Sequence, residues 1–377
     1  MPFSVSVWTE FVVYLCTEGK TARKMPDINL CCACIRKEES GMDRHIKALL
    51  GMMAVSLFWA PSFSVTKGLL ACAGPISLVC LRFLLAALTF TGYRLIRYLF
   101  RASAGTVQDT APHKAEAGSF GQAAEAGRAS GLLPAMIRKE DRAEFLLLTA
   151  MMPAHYVLSN IASVTLDETE SMMFSSFQGL LTLVIASLLL NSKIRPFTSI
   201  YTGTAGVGAV LLMEFQPMTS AMKAGYVIML TAMVMWVIYC VLLARTLERY
   251  SIQDILFYQF WAVGILFLPW LRVQGEMAGA WDARALLGMA YLAVCCTAMC
   301  FSLNGAGIRE IGPVPASLVL IVGPALVVIL KMLDTGGCLS MRQLVGIGLV
   351  ITGFVLVVLD VVGLGAEGRG EKEKGGR

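Results

Sequence analysis

Residues 48–68 read ALLGMMAVSLFWAPSFSVTKG, twenty-one positions with one formal charge, Lys67, next to the end. As an α-helix rising 1.5 Å per residue, such a run is long enough to cross a hydrocarbon core about 30 Å thick. Asp43, Arg44, His45 and Lys47 form a charged shoulder before it, and residues 69–75 after it carry no charge. Working outward, runs of the same kind recur at 76–96, 144–163, 170–190, 196–214, 222–244, 253–271, 284–305, 314–333 and 341–362, which makes ten candidate spans. The fold class expected is an all-α integral membrane protein.

Composition agrees. The 377 residues are 56% hydrophobic and 15% charged, with mean hydropathy +0.69, whereas a soluble domain carries roughly 25% charged residues. The formal net charge of +5 does not mark a nucleic-acid partner, because Lys and Arg lie between the apolar runs and not along one face. Of the eleven cysteines, Cys80, Cys240, Cys295, Cys296 and Cys300 sit inside apolar runs, as small packing residues do. No disulfide framework, cofactor or resident metal is expected.

Charge placement gives an independent check on the helix count. Along alternating connections, one side collects 24 Lys and Arg and the other only Lys223, Arg272, Arg284 and Arg342. That asymmetry is what the positive-inside rule predicts for ten helices with both termini cytoplasmic. The first outer connection is uncharged and the second, with Asp167, Glu168 and Glu170, is acidic.

Residues 1–47 read as a cytoplasmic N-terminal extension and 363–377 as a cytoplasmic tail. Met42 offers an alternative start, which would remove the Cys31-Cys32-Ala33-Cys34 cluster, whose thiols otherwise suit metal binding or acylation. Residues 99–143, rich in Ala, Gly, Ser and Glu, are expected to be a flexible cytoplasmic insertion.

The chain resembles itself. An offset of 177 sets Trp59 on Trp236 and Leu81-Arg82-Phe83-Leu84 on Tyr258-Gln259-Phe260-Trp261. An offset of 144 sets Ser159-Asn160-Ile161-Ala162 on Leu303-Asn304-Gly305-Ala306. Gly203, Gly206 and Gly208 in the fifth span answer Gly346, Gly348 and Gly353 in the tenth, and small residues there let helices pack closely. Two five-helix repeats are expected, 48–214 and 222–362. An odd number of spans makes the second enter from the opposite side, so the repeats are inverted, with a site at their midplane interface.

Phe58-Trp59-Ala60-Pro61-Ser62-Phe63-Ser64-Val65-Thr66-Lys67 and Leu81-Arg82-Phe83-Leu84-Leu85-Ala86-Ala87 resemble the first two helices of the EamA type in the drug/metabolite transporter superfamily. Ala316-Ser317-Leu318, Gly323-Pro324 and the glycines from Gly346 to Gly353 add to the likeness. The chain departs from that pattern at Gln178 or Gly179, where the family has Pro, and at Asn191-Ser192, where it has Gly-Glu. The resemblance implies a multi-pass transporter of the cell membrane.

An ionisable residue inside a span is a functional candidate by default, because hydrocarbon makes it expensive. Arg82 leads, with snorkelling toward the interface as its other reading. Lys67 suits an interfacial anchor. His155, Tyr156, Asn160, Ser175, Ser176 and Gln178 could share a polar cavity with Arg82 or hydrogen-bond between helices, at about 0.6 kcal/mol per contact. Trp59, Phe63, Trp236, Tyr239, Tyr258, Gln259 and Asn304 could add an organic-substrate pocket or simply pack the core. Pro324 would kink the ninth helix and free a carbonyl. Glu144, Glu170, Glu214 and Asp360 all fall at span ends, so the pattern leans toward neutral, zwitterionic or anionic cargo.

The function expected is a secondary transporter of small organic metabolites, an exporter, working by alternating access, with membrane lipid and a second copy of the chain as expected partners. An intramembrane enzyme or a channel-like pore is the alternative. No phosphate-binding Gly-rich loop, His-Glu-x-x-His or deep carboxylate pair is present to serve an enzyme.

Overall fold

The computed structural model describes residues 30–103, 133–190, 196–212, 219–273, 277, 279–336 and 338–374. Residues 1–42 form one unit and 43–377 another. The expected extension before Leu30 and most of the insertion at 99–143 lie outside what is described. Among the described residues every regular element is helical.

In chain order these are α1 (Leu30–Trp59), α2 (Ser62–Leu69), α3 (Pro75–Ser103), α4 (Arg142–Thr165), α5 (Glu168–Leu190), α6 (Pro196–Leu212), α7 (Ser220–Thr246) and α8 (Ile252–Phe267). There follow α9 (Ala283–Ala290), a π-helical stretch (Tyr291–Met299), α10 (Cys300–Ile311), α11 (Pro313–Val319), α12 (Gly323–Thr335) and α13 (Met341–Lys374). Eight segments among the described residues are long and apolar enough to cross a membrane. Two shorter apolar stretches, Phe177–Leu188 and Phe197–Leu212, fall where the fourth and fifth spans were expected. The molecule is a multi-pass, all-helical membrane protein.

Helix α3 packs along α8, α4 along α7, α5 against α11 and α12, and α6 along α13. The last pair is the closest. A Cβ on Gly208 would stand 2.7 Å from the Gly346 carbonyl, and one on Gly346 would stand 2.8 Å from the Gly208 carbonyl. Only glycine permits that backbone contact. Gly353 also lies in this seam, whereas Gly203, Gly206 and Gly348 have open space where a side chain would go.

Three expected spans are interrupted. The first breaks at Ala60-Pro61, between α1 and α2. The eighth passes through the π-helical stretch, and the ninth through a 3₁₀ turn at Leu320–Val322. Pro324 falls in the first turn of α12, where the missing N–H costs nothing, so the break precedes it. The described cysteines, Cys72, Cys80, Cys240, Cys295, Cys296, Cys300 and Cys338, are free thiols.

Candidate functional site

The break in the first span builds one wall of a cavity. Pro61 has no N–H, so the helical ladder opens there, and the Phe58 carbonyl accepts instead from the Tyr291 hydroxyl, 2.6 Å. One residue on, the Trp59 indole donates to the Cys296 carbonyl, 2.9 Å. Both partners belong to the π-helical stretch, whose extra residue per turn presents side chains that a regular helix would turn away. Thr297 in that stretch donates to the Leu292 carbonyl five residues back, 2.7 Å, and accepts from Arg82 Nε, 2.6 Å.

Arg82, 5% exposed, therefore points into the bundle and does not snorkel. Its guanidinium lies 4.4 Å from the centroid of the Tyr156 ring. Neither partner carries a negative charge, and among the described residues Arg82 makes no ion pair with a carboxylate.

Around this group lies a small open cavity of about 70 Å3. Its aromatic lining is Trp59, Phe63, Tyr156 and Trp236, and its polar lining is Ser56, Ser62, Thr66, Arg82, His155, Ser159, Asn160, Ser163 and Gln178. Met233 and Leu320 complete the wall, which among the described residues holds no Asp or Glu. It runs from Trp59, at the break between α1 and α2, and Trp236, inside α7, to Thr66 and Ser163 near the ends of α2 and α4.

The two tryptophans that the offset of 177 superposes meet edge to face, with centroids 5.4 Å apart. Phe83 and Phe260, superposed by the same offset, stand 5.8 Å apart. With Tyr239 and Phe301 they make an aromatic layer that closes the cavity at depth. His155 Nδ1 lies 2.8 Å from the Ala232 carbonyl. A carbonyl can only accept, so Nδ1 carries the proton. Asn160 donates to the Pro75 carbonyl, 3.0 Å. Gln178 is 3% exposed, and its Nε2 has no hydrogen-bond partner.

Of the residues singled out from sequence, Trp59, Phe63, Arg82, His155, Tyr156, Asn160, Gln178 and Trp236 stand around this one cavity. Lys67, Tyr239, Gln259, Asn304 and Pro324 do not line it. Lys67 donates to the Leu166 carbonyl, 2.8 Å, tying α2 to the end of α4. Tyr239 is fully buried and donates to Gln259 Oε1, 3.2 Å. Asn304 is buried on α10. The side chains of Ser175 and Ser176 lie outside the described residues. Thr297, Ser62, Thr66, Ser159 and Ser163 were not anticipated. A hydroxyl residue in an apolar run is common, and only the π-helical register and the break at Pro61 give these a role.

The other end of the bundle is tied shut by charge. The Asp141 carboxylate accepts from Arg249 and, at 2.6 Å, from the Tyr250 hydroxyl. Arg249 also pairs with Glu144, and Arg94 with Asp254 at 3.0 Å. Arg97 donates to Gln253 Oε1, 3.2 Å. Each of these joins α3 or the start of α4 to the α7–α8 connection or the first turn of α8. Burial and the adjacent Asp141 carboxylate push the Tyr250 phenol above its ordinary range, so it remains a donor at neutral pH.

The chain is a multi-pass membrane protein whose helices enclose a polar, aromatic-walled cavity, a setting in which small-molecule sites are found. Residues 223–359 match the model of the EamA-like transporter family. The matched stretch holds the EamA-like features at Ala316-Ser317-Leu318, at Gly323-Pro324 and at the glycines from Gly346 to Gly353. No curated protein matches the chain. A solved structure titled "Crystal structure of protein" is similar over 83% of this chain and 98% of its own length, at 13% identity and a TM-score of 0.61. At that identity the likeness speaks for the fold alone.

Proposed function

We propose that the chain is a secondary carrier, an exporter in the cell membrane, that moves small organic metabolites by alternating access between two inverted five-helix repeats, 48–214 and 222–362. The single observation that carries the reading is the cavity's asymmetry: polar walls reach the ends of α2 and α4, while an aromatic layer and a band of ion pairs seal the opposite end. Taking α5 and α6 as the fourth and fifth of ten spans, the pairing of two with seven, four with nine and five with ten maps onto itself when the halves are exchanged. This supports an inverted pair.

With both termini cytoplasmic, the open mouth faces outward and the ion pairs form the inner gate. Moving substrate requires the gate to part while the halves close over the mouth. Conversion between two such states needs only a few kcal/mol of differential binding. Counterflow in proteoliposomes tests the reading. Saturable exchange of a labelled metabolite against its unlabelled form is the expected result, and flux that rises without saturation contradicts it.

A further inference from the structure

We infer that the cavity binds its cargo as an organic monoanion, a carboxylate on a flat apolar body, with Arg82 and Gln178 forming the anion subsite. The inference rests on the carrier reading for its biological setting but not for its chemistry.

The sign of the site comes first. A guanidinium is never neutral in a protein, and removing it from water is costly unless an opposite charge answers it. Arg82 is answered by the Thr297 hydroxyl and by the face of Tyr156, and among the described residues no Asp or Glu lines the cavity. The described lining is therefore cationic. A ligand anion lowers its electrostatic energy, and a ligand ammonium raises it.

Gln178 is an independent observation. Its amide Nε2 is buried in the cavity wall without an acceptor, and a native protein leaves few such donors unmade. Arg82 on α3 and Gln178 on α5 line the same cavity, and a carboxylate has an oxygen for each. The body of the ligand would lie against Trp59 and Trp236. An ammonium meets no described carboxylate in this lining and is repelled by Arg82, which already occupies the Tyr156 face. The site thereby discriminates against amines and, less strongly, against amino acids.

Binding of 3-phenylpropanoate, 3-phenylpropanamide, phenethylamine and phenylalanine to the purified full-length protein, followed by tryptophan fluorescence, tests this. A hydrogen bond to a charged group supports the carboxylate at about 10- to 100-fold tighter than the amide. Phenethylamine is expected to be weakest and phenylalanine to fall below phenylpropanoate. Arg82→Gln should erase the preference for carboxylate over amide while leaving amide binding within about threefold, and Arg82→Lys should retain part of it. Amide binding by Arg82→Gln shows that the variant is folded. Equal binding of amide and carboxylate by the native protein, phenylalanine at or above phenylpropanoate, or a preference that survives Arg82→Gln overturns the inference. Selective carboxylate binding without counterflow would instead keep the anion subsite and remove the carrier reading.

Discussion

The sequence offsets of 177 and 144 set Gln259 against Arg82 and Asn304 against Asn160, yet Arg82 and Asn160 line the open cavity whereas Gln259 and Asn304 are buried away from it. Gln259 is fully buried, accepts from Tyr239 and has an unpartnered Nε2. Asn304, also buried, leaves its Nδ2 without a hydrogen bond. Buried unmade donors typically cost about 1–3 kcal/mol each. Their persistence on the closed side is explained if that side opens in turn, so that the amides meet water or substrate in the other state. The difference between the halves is then one of conformation as well as of residue type.

The largest expected effect breaks the comparison at its charged member. Arg82→Ala should lower uptake by roughly 100-fold or more, about 3 kcal/mol, with membrane insertion intact. Normal transport by that variant would remove Arg82 from the mechanism. Next is Gly208→Leu, which forces a side chain into the Gly346 backbone. Overpacking of this kind costs about 1–3 kcal/mol and should lower the melting temperature in detergent, whereas Gly203→Leu, with open space around it, should not.

Smaller still is Arg249→Ala. It loosens the sealed end, and because Arg249 is 38% exposed the effect should stay near 1 kcal/mol, seen as an up to about fivefold faster labelling of a cysteine at Gly305. The smallest change in stability belongs to Asn304→Leu, about 1 kcal/mol or less in either direction, since a donor without a partner is being removed. Turnover should nevertheless fall several-fold, and unchanged turnover would show that Asn304 has no part in the second state.

The spans were legible because a bilayer imposes one demand, about twenty apolar residues, and their bounds match the helices to within a few residues in most cases. Arg82 was legible for a related reason, since a charge in an apolar run is rare. What hydropathy does not see is the hydrogen-bond register inside a span. The break at Pro61, the π-helical stretch and the 3₁₀ turn at 320–322 were missed, and with them Thr297. The offset of 177 pairs Trp59 with Trp236 and Phe83 with Phe260, and both pairs are in ring contact, whereas Gln259 and Asn304, paired with Arg82 and Asn160 by the offsets, are buried away from the cavity.

Labelling with a membrane-impermeant maleimide, applied from either face of oriented vesicles to Ser163→Cys and Asn304→Cys in a cysteine-free background, tests the central claim most directly. Alternating access predicts that the two positions are reached from opposite faces, with Asn304→Cys labelled faster during turnover than at rest. Labelling of both from the same face, or of Asn304→Cys from neither during turnover, would contradict it.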